Sequence, residues 1–248
     1  MRNGRCLDSG FHNDQPDAVR FFVPGGIMTS PRVLYFNGAF DLRLCGQIAL
    51  RHERLLAEMT LWFMPVGDSG DRIICDAAPP AEYLEYLDAV GLSPPAQLAS
   101  GERYPNHVGF PWGWDRDAVA RLRAVGAGIV CPDLEVVRTV NSREFGVRVA
   151  RQSGFGVPGA AICRDVGEVW AAVAAAPNLP CVVKPAFGNA GIGFVFPDSA
   201  EPKPESAARV RRLFDRGNPS VIVEPWLCRT ADVSSSFELT PEGDMSAL

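Results

Sequence analysis

Residues Cys181 to Phe196, CVVKPAFGNAGIGFVF, constrain the fold more than any other stretch of this 248-residue chain. A short β-branched run, Cys181 to Val183, delivers Lys184. A loop with Gly188, Gly191 and Gly193 follows, and then a second apolar run, Ile192 to Phe196. Two such runs across a glycine-containing connection predict a β-hairpin. Glycine lets backbone N–H groups approach a ligand closely and point at one anion, which suits a phosphate. Two other phosphate motifs are excluded. A Walker loop sets its lysine after the glycines and then opens a helix, whereas here the lysine comes first and a strand follows. The dinucleotide fingerprint needs a helix directly after its glycines, which Pro197 to Pro204 cannot supply.

The chain contains 22 arginines and two lysines, Lys184 and Lys203. A sequence that otherwise writes arginine, yet keeps a lysine in an apolar strand, points to a site that needs a compact ammonium. A strand-end lysine snorkelling to water is the competing reading. About forty residues on, Ser220 to Leu227 reads SVIVEPWL, a buried-strand run that ends in Glu224, Pro225, Trp226 and Leu227. Proline cannot donate a ladder hydrogen bond, so pairing is expected to stop at Pro225. Free backbone groups beside an aromatic would then form an edge for a purine ring.

In their order and spacing these segments resemble the ATP-grasp family. There a lysine strand, a glycine-rich flap and a Glu-containing hinge hold ATP between two small α+β subdomains. The resemblance is clear from Asn141 to Gly243 and weaker upstream. It implies that Lys184 contacts nucleotide phosphate and the purine edge. It implies that Gly188, Asn189, Ala190, Gly191 and Gly193 close over the phosphates, and that Glu224, Pro225, Trp226 and Leu227 read the adenine. Arg143 matches a basic residue at the head of the first helix that adds a phosphate contact, where the family more often has lysine. A solvated helix-start arginine is the alternative. Asp232 falls where the family often places a ribose or substrate contact, and a cap or turn aspartate fits it equally. The implied cofactors are ATP and Mg2+. The family's metal ligands, an acidic residue and then Glu-x-Asn on a later strand, are expected beyond the end of this sequence. Glu238, Glu242 and Asp244 read as turn residues, and no metal ligand is assigned here.

Strands alternating with helices from Arg32 onward predict a small, mostly parallel open sheet. Val33–Phe36, Leu61–Met64 and Arg72–Cys75 read as strands, and Cys45–Met59 and Ala81–Val90 as helices. Gly91 to Gly113 reads as a loop-rich span, and the Trp112–Trp114 pair as packing at a subdomain seam. Asp115, the pair Asn141-Ser142, and Asp165 are expected helix caps. Helices are also expected from Glu205 to Arg216, and a hairpin from Ser234 around Pro241–Asp244. The fold class is therefore α/β. A poorly ordered leader (1–31) precedes a Rossmann-like pre-ATP-grasp domain (32–135), and an incomplete α+β ATP-grasp domain (136–248) follows.

A hydrophobic content of 47% with 21% charged residues is ordinary for a globular protein with a sizeable core. The net charge of −5 argues against a nucleic-acid surface. Seven cysteines without CxxC spacing, and three scattered histidines, argue against zinc and for a reducing compartment. No apolar stretch approaches a membrane span and the N-terminus lacks an apolar h-region, so no membrane partner and a cytoplasmic location are expected.

The expected function is the ATP-binding part of an ATP-dependent carboxylate–amine, or carboxylate–thiol, ligase acting through an acyl phosphate. Its substrates in the full-length protein would be a small-molecule carboxylate and an amine, and a homo-oligomer remains open. The alternative is a non-catalytic nucleotide-binding or regulatory module. A Rossmann-like oxidoreductase ranks below both, because no glycine fingerprint follows Val33–Phe36. With the metal half missing, the 248 residues are expected to be a truncated piece that binds ATP weakly and cannot ligate. An uncovered apolar wall at Val221–Val223 is expected to accompany that.

Overall fold

The structure is a computed structural model. It describes residues 30–46, 59–98, 101–176, 180–188, 191–197, 199–228, 230–231, 235, 237–239 and 245–247. Four strands, β1 (Arg32–Tyr35), β2 (Arg72–Ile74), β3 (Ala96–Gln97) and β4 (Val108–Pro111), form an all-parallel sheet in the order β3-β2-β1-β4. Side chains of β1 alternate between two cores, the period of two that a strand imposes. Val33 and Tyr35 pack with Ala118 and Leu122 of the Arg116–Ala124 helix. Leu34 and Phe36 pack with Phe63, Met64, Ile73 and Leu87 on the opposite face. Both faces are buried, as a parallel sheet with crossover helices requires.

The strand order reverses between β1 and β4, where open α/β sheets leave a crevice at the carboxyl ends of the strands. Here the chain fills that place itself. The buried Asn37 amide donates to the Gly113 carbonyl (2.7 Å) and to Asp115 Oδ2 (3.0 Å), and its oxygen accepts from Gly113 N–H (3.0 Å). A Cβ on Gly113 would lie 2.6 Å from ring carbons of Phe40, so only glycine admits this approach.

The second sheet is antiparallel: β5 (Ala161–Cys163), β6 (Cys181–Pro185) and β7 (Val221–Pro225) in the order β5-β7-β6. The Arg143–Gln152 helix precedes it, Val166–Ala175 joins β5 to β6, and Pro204–Asp215 joins β6 to β7. One face carries Cys163, Cys181, Val183, Val221 and Val223 into a core with Val169, Val173, Val210 and Leu213. Asp115, Ser142 and Asp165 all cap their helices, accepting from Ala118, Phe145 and Glu168 N–H. A fourth cluster ties the sheets together: Phe40, Leu44 and Cys45 meet Val137, Ala186 and Phe187, with Trp114 packed against this cluster and the parallel-sheet core. Trp112 is exposed, its ring against Phe36 and Phe63. A short antiparallel pair, β8 (Phe237–Leu239) with β9 (Met245–Ala247), matches the expected last hairpin; its turn at 240–244 lies outside the described residues.

Several expectations are corrected. Leu61–Met64 is part of a 3-10 helix, Thr60–Val66. Its burial does not alternate, with Trp62 exposed and both Phe63 and Met64 buried, and Pro65 has no N–H for a ladder. In place of a helix starting at Cys45, the helix Phe40–Leu44 ends there, and Gly46 turns the chain at φ +77°. Of the expected Cys45–Met59 helix, residues 47–58 lie outside the described residues, as do 1–29 of the expected leader. The span Gly91–Gly113 holds β3 and β4; Pro111 is tolerated because it ends a strand at the sheet edge. A helix at Leu134–Val140 was not expected.

The predicted hairpin after Lys184 shrinks to one bridge. Val183 and Val195 exchange both backbone hydrogen bonds (2.8 and 3.0 Å), while 191–193 turn. Glycines at positive φ, Gly191 (+73°) and Gly193 (+82°), keep that run out of extended geometry. Pairing also does not stop at Pro225 on both sides. On the β5 side it ends at Val223, opposite Ala161, but on the β6 side Pro225 faces Cys181 and Trp226 N–H donates to the Pro180 carbonyl (3.0 Å). Nor is the Val221–Val223 wall uncovered. All three side chains are buried: Val221 and Val223 in the core with Val169, Val173, Val210 and Leu213, and Ile222 on the other face beside the Arg143–Gln152 helix.

Candidate functional site

Register places the two motif residues together. In the β6–β7 ladder Val182 opposes Glu224 and Lys184 opposes Ile222. Lys184 and Glu224 are therefore diagonal neighbours on one face, opposite the face that carries Val183 and Val223 into the core. Their side chains form an ion pair, with 23% and 14% of their surfaces exposed. Lys184 does not simply snorkel; its ammonium is held by a carboxylate and lies 5.5 Å from the Phe194 ring centroid.

Two hollows meet at this pair. One, of about 300 Å³, lies between the Arg143–Gln152 helix and the sheet face, lined by Gly146, Val147, Ala150, Phe155 and Val157. The other, of about 590 Å³, opens toward Gly191, Phe194, Phe196 and the hinge residues Pro225, Trp226 and Leu227. Each is within the size range of small-molecule sites. Phe194, Phe196 and Trp226 form an edge-to-face series, with Phe196 and Trp226 centroids 4.9 Å apart. Trp226 and Leu227 are both exposed at the lip, offering an apolar edge beside the end of β7.

The glycine loop leaves β6 at Pro185 and turns at Gly188, whose φ of +127° excludes ordinary side chains. Its root is braced by Arg143. The Arg143 backbone N–H donates to the Ala186 carbonyl (2.9 Å), and its guanidinium donates to the carbonyls of Pro185 (2.6 Å) and Gly188. The same guanidinium stands 5.4 Å from the Phe194 centroid. Burial pushes its pKa down from the ordinary arginine value, against an upward pull from Asp41. Arg143 is thus no solvated helix-start residue.

Of the residues singled out from sequence, Lys184, Gly188, Gly191, Gly193, Glu224, Pro225, Trp226, Leu227 and Arg143 all lie around these two hollows or at the loop that joins them. Asn189, Ala190 and Asp232 lie outside the described residues. Sequence reasoning missed Phe194, Phe196 and Val157. The first two had a readable signal: in Gly193–Phe196 the aromatic positions flank Val195, which is buried, so both rings share the other side. Val157 follows a glycine-rich turn and carries no comparable pattern.

Among the described residues, no group of three or more His, Cys, Asp or Glu side chains could hold a metal ion. Among them, too, no helix is long and apolar enough to cross a membrane.

No family model matches the sequence, and no curated protein matches it. Among solved structures, the chain is similar to a RimK domain ATP-grasp protein from Sphaerobacter thermophilus, at 20% identity and TM-score 0.37, over 63% of each chain. It is similar to D-alanine–D-alanine ligase from Helicobacter pylori at 11% identity and TM-score 0.46, over 88% of this chain and 72% of that one. It is also similar to N5-carboxyaminoimidazole synthetase from Staphylococcus aureus complexed with ADP, at 9% identity and TM-score 0.43, over 88% and 53%. The chain spans less than two thirds of the first and third of these. These likenesses are at low identity and over part of those proteins' length.

Proposed function

We propose that this chain binds ATP on the open face of its antiparallel sheet, as the nucleotide-binding part of a carboxylate–amine or carboxylate–thiol ligase that works through an acyl phosphate. Residues 32–135 would be the pre-ATP-grasp domain and 136–248 the ATP-grasp part. The observation that carries the reading is the Lys184–Glu224 pair set between a glycine loop and an exposed aromatic hinge. Lys184 supplies a compact cation for phosphate, and the loop supplies backbone N–H groups that need little side-chain clearance. Pro225, Trp226 and Leu227 offer the adenine an edge where β7 has no β5 partner. Arg143, with its guanidinium on two loop carbonyls, positions the loop and does not itself hold the phosphate. ATP would bring the transferable phosphoryl group. A small-molecule carboxylate and an amine would be the substrates of the whole protein, in a reducing, cytoplasmic setting.

The described residues do not fit a magnesium site. The carboxylate in the cleft, Glu224, is committed to Lys184, and no acidic cluster stands near it. No magnesium-dependent step is assigned to this chain. That commitment of Glu224 also favours a second reading, a nucleotide-binding module without ligase activity.

Calorimetric titration tests the binding. Lys184→Ala should weaken ATP by about 1.5–3 kcal/mol, the scale of a charged hydrogen bond. GTP, with a different donor and acceptor pattern on its base, should compete poorly in the wild type. Equal ATP affinity in a folded Lys184→Ala variant removes Lys184 from the site. Magnesium-dependent ADP release by this chain with pooled carboxylates and amines is expected to be absent; sustained turnover, lost on Lys184→Ala, would show that a metal site is built from residues not assigned here and would overturn the reading of this chain as the nucleotide-binding part alone.

A further inference from the structure

Behind the root of the glycine loop lies another hollow, of about 240 Å³, which shares no lining residue with the two that meet at Lys184. Three guanidiniums line it, from Arg138, Arg148 and Arg164, with one carboxylate, Glu144. Glu144 is fully engaged. Arg148 donates to its Oε1 through Nε (3.1 Å) and a terminal nitrogen (2.7 Å). Arg164 reaches both oxygens (2.6 and 2.7 Å), and Ser220 Oγ donates to Oε2 (2.8 Å). This holds two arginines in fixed orientation without exhausting them.

Arg138 is fixed separately. Its Nε donates to the Leu44 carbonyl (2.8 Å), and its guanidinium lies 5.5 Å from the Phe187 ring centroid. Its two terminal nitrogens, and one terminal nitrogen of Arg148, have no hydrogen-bond partner among the described residues. Three positive side chains against one negative leave an excess of two charges in the lining. Glu168 accepts from the Arg164 backbone N–H (2.6 Å) and does not line the hollow.

We propose that this hollow binds a phosphoryl dianion, either free phosphate or the phosphate of a small monoester. A carboxylate brings one negative charge and leaves the lining positive. A phosphate monoester brings about −1.5 to −2 and three acceptor oxygens, which suit guanidinium forks held at fixed angles. Ala186 and Phe187, which line the hollow, belong to the same loop root that Arg143 braces from the other side. An occupant here touches the segment that leads from Lys184 into the glycine loop.

The test is titration of inorganic phosphate, glycerol phosphate and acetate into the full chain at low ionic strength, since Arg148 and Arg164 are exposed and salt would screen them. The expected result is saturable binding of one phosphate, at least tenfold tighter than acetate. Arg138→Gln with Arg148→Gln should weaken it tenfold or more, and Lys184→Ala should leave it within twofold. Arg148→Gln alone, at an exposed position, keeps the test valid if the double variant melts early, and should weaken phosphate at least threefold. Tighter binding of glycerol phosphate than of phosphate identifies a phosphorylated metabolite, and the reverse identifies the free ion. Equal affinity for acetate, no saturable binding, or loss in Lys184→Ala with retention in the arginine variants would overturn the proposal; the last result would mean that phosphate reports the nucleotide cleft.

Discussion

The two sheets solve opposite problems. In the parallel sheet both faces are filled by the chain, and even the crevice at the carboxyl ends of β1 and β4 is closed by Asn37, Gly113 and Phe40. In the antiparallel sheet one face is filled, and the other is covered only in part, with a charged pair standing between two hollows. A sheet with two buried faces has no room for an ammonium and a carboxylate at its centre, because an unpaired charge there is costly. A sheet with one buried face can hold the same pair at the boundary, where solvent and a ligand share in stabilising it. Room for chemistry follows from which face is left open.

The largest effect should come from the filled sheet. Leu34 has no exposed surface and sits at the centre of its core, so Leu34→Ala should cost about 2–5 kcal/mol in urea unfolding. A loss below 1 kcal/mol would mean that the parallel sheet is not the closed body described. Next is the open sheet's loop. Gly188→Ala forces a side chain into a backbone region that costs about 1–3 kcal/mol, and should weaken nucleotide binding while moving the melting midpoint by only a few degrees. Equal losses in both measurements would make the loop structural.

Titration distinguishes the halves further. Burial, with a hydrogen bond from its hydroxyl to Asp117, pushes Tyr35 up to about 12 from 10. The neutral phenol is therefore favoured by folding. That stability is present below pH 10 and lost as the pH rises toward 12, with tyrosinate absorbance following unfolding. Hydrogen bonds from Arg164 above all hold Glu144 down at about 2, from an ordinary 4.5. Its contribution is present above pH 4.5 and disappears as the pH falls toward 2. Because Arg148 and Arg164 are exposed, this is worth about 1 kcal/mol, the smallest effect of the series. Glu144→Gln should flatten the acid limb and leave the alkaline limb unchanged; an unchanged acid limb would assign it to other carboxylates.

Local signals were legible from sequence wherever one residue decides the structure. Asp115, Ser142 and Asp165 cap as expected, and the apolar runs around Leu34, Val183 and Ile222 are strands. Lys184 and Glu224 were legible as members of one site, although nothing in their spacing says that they pair with each other; register across β6 and β7 decides that. Strand β4 was hidden because Pro105 before it and Pro111 at its end punctuate like a loop, while its edge position makes the second harmless. The hairpin after Lys184 was overread. The apolar run Ile192–Phe196 promised a strand, but Gly191 and Gly193 take positive φ and, among the described residues, only Val195 of that run pairs. The Glu144 hub joins a helix, a strand end and the residue before β7, a relation that only tertiary structure creates.

The Arg143 side chain carries one more implication. By clasping two carbonyls on either side of Ala186 and Phe187, it splices the start of its helix to the root of the glycine loop, so the two travel as one lever. The connection between that helix start and the loop root therefore runs through side-chain hydrogen bonds and does not depend on the sheet. A lysine at this position would have to serve both carbonyls from a single nitrogen, without the rigid fork that gives each its own donor. It would free a cation for the ligand at the cost of unfastening the lever, and the arginine in this chain makes the opposite choice.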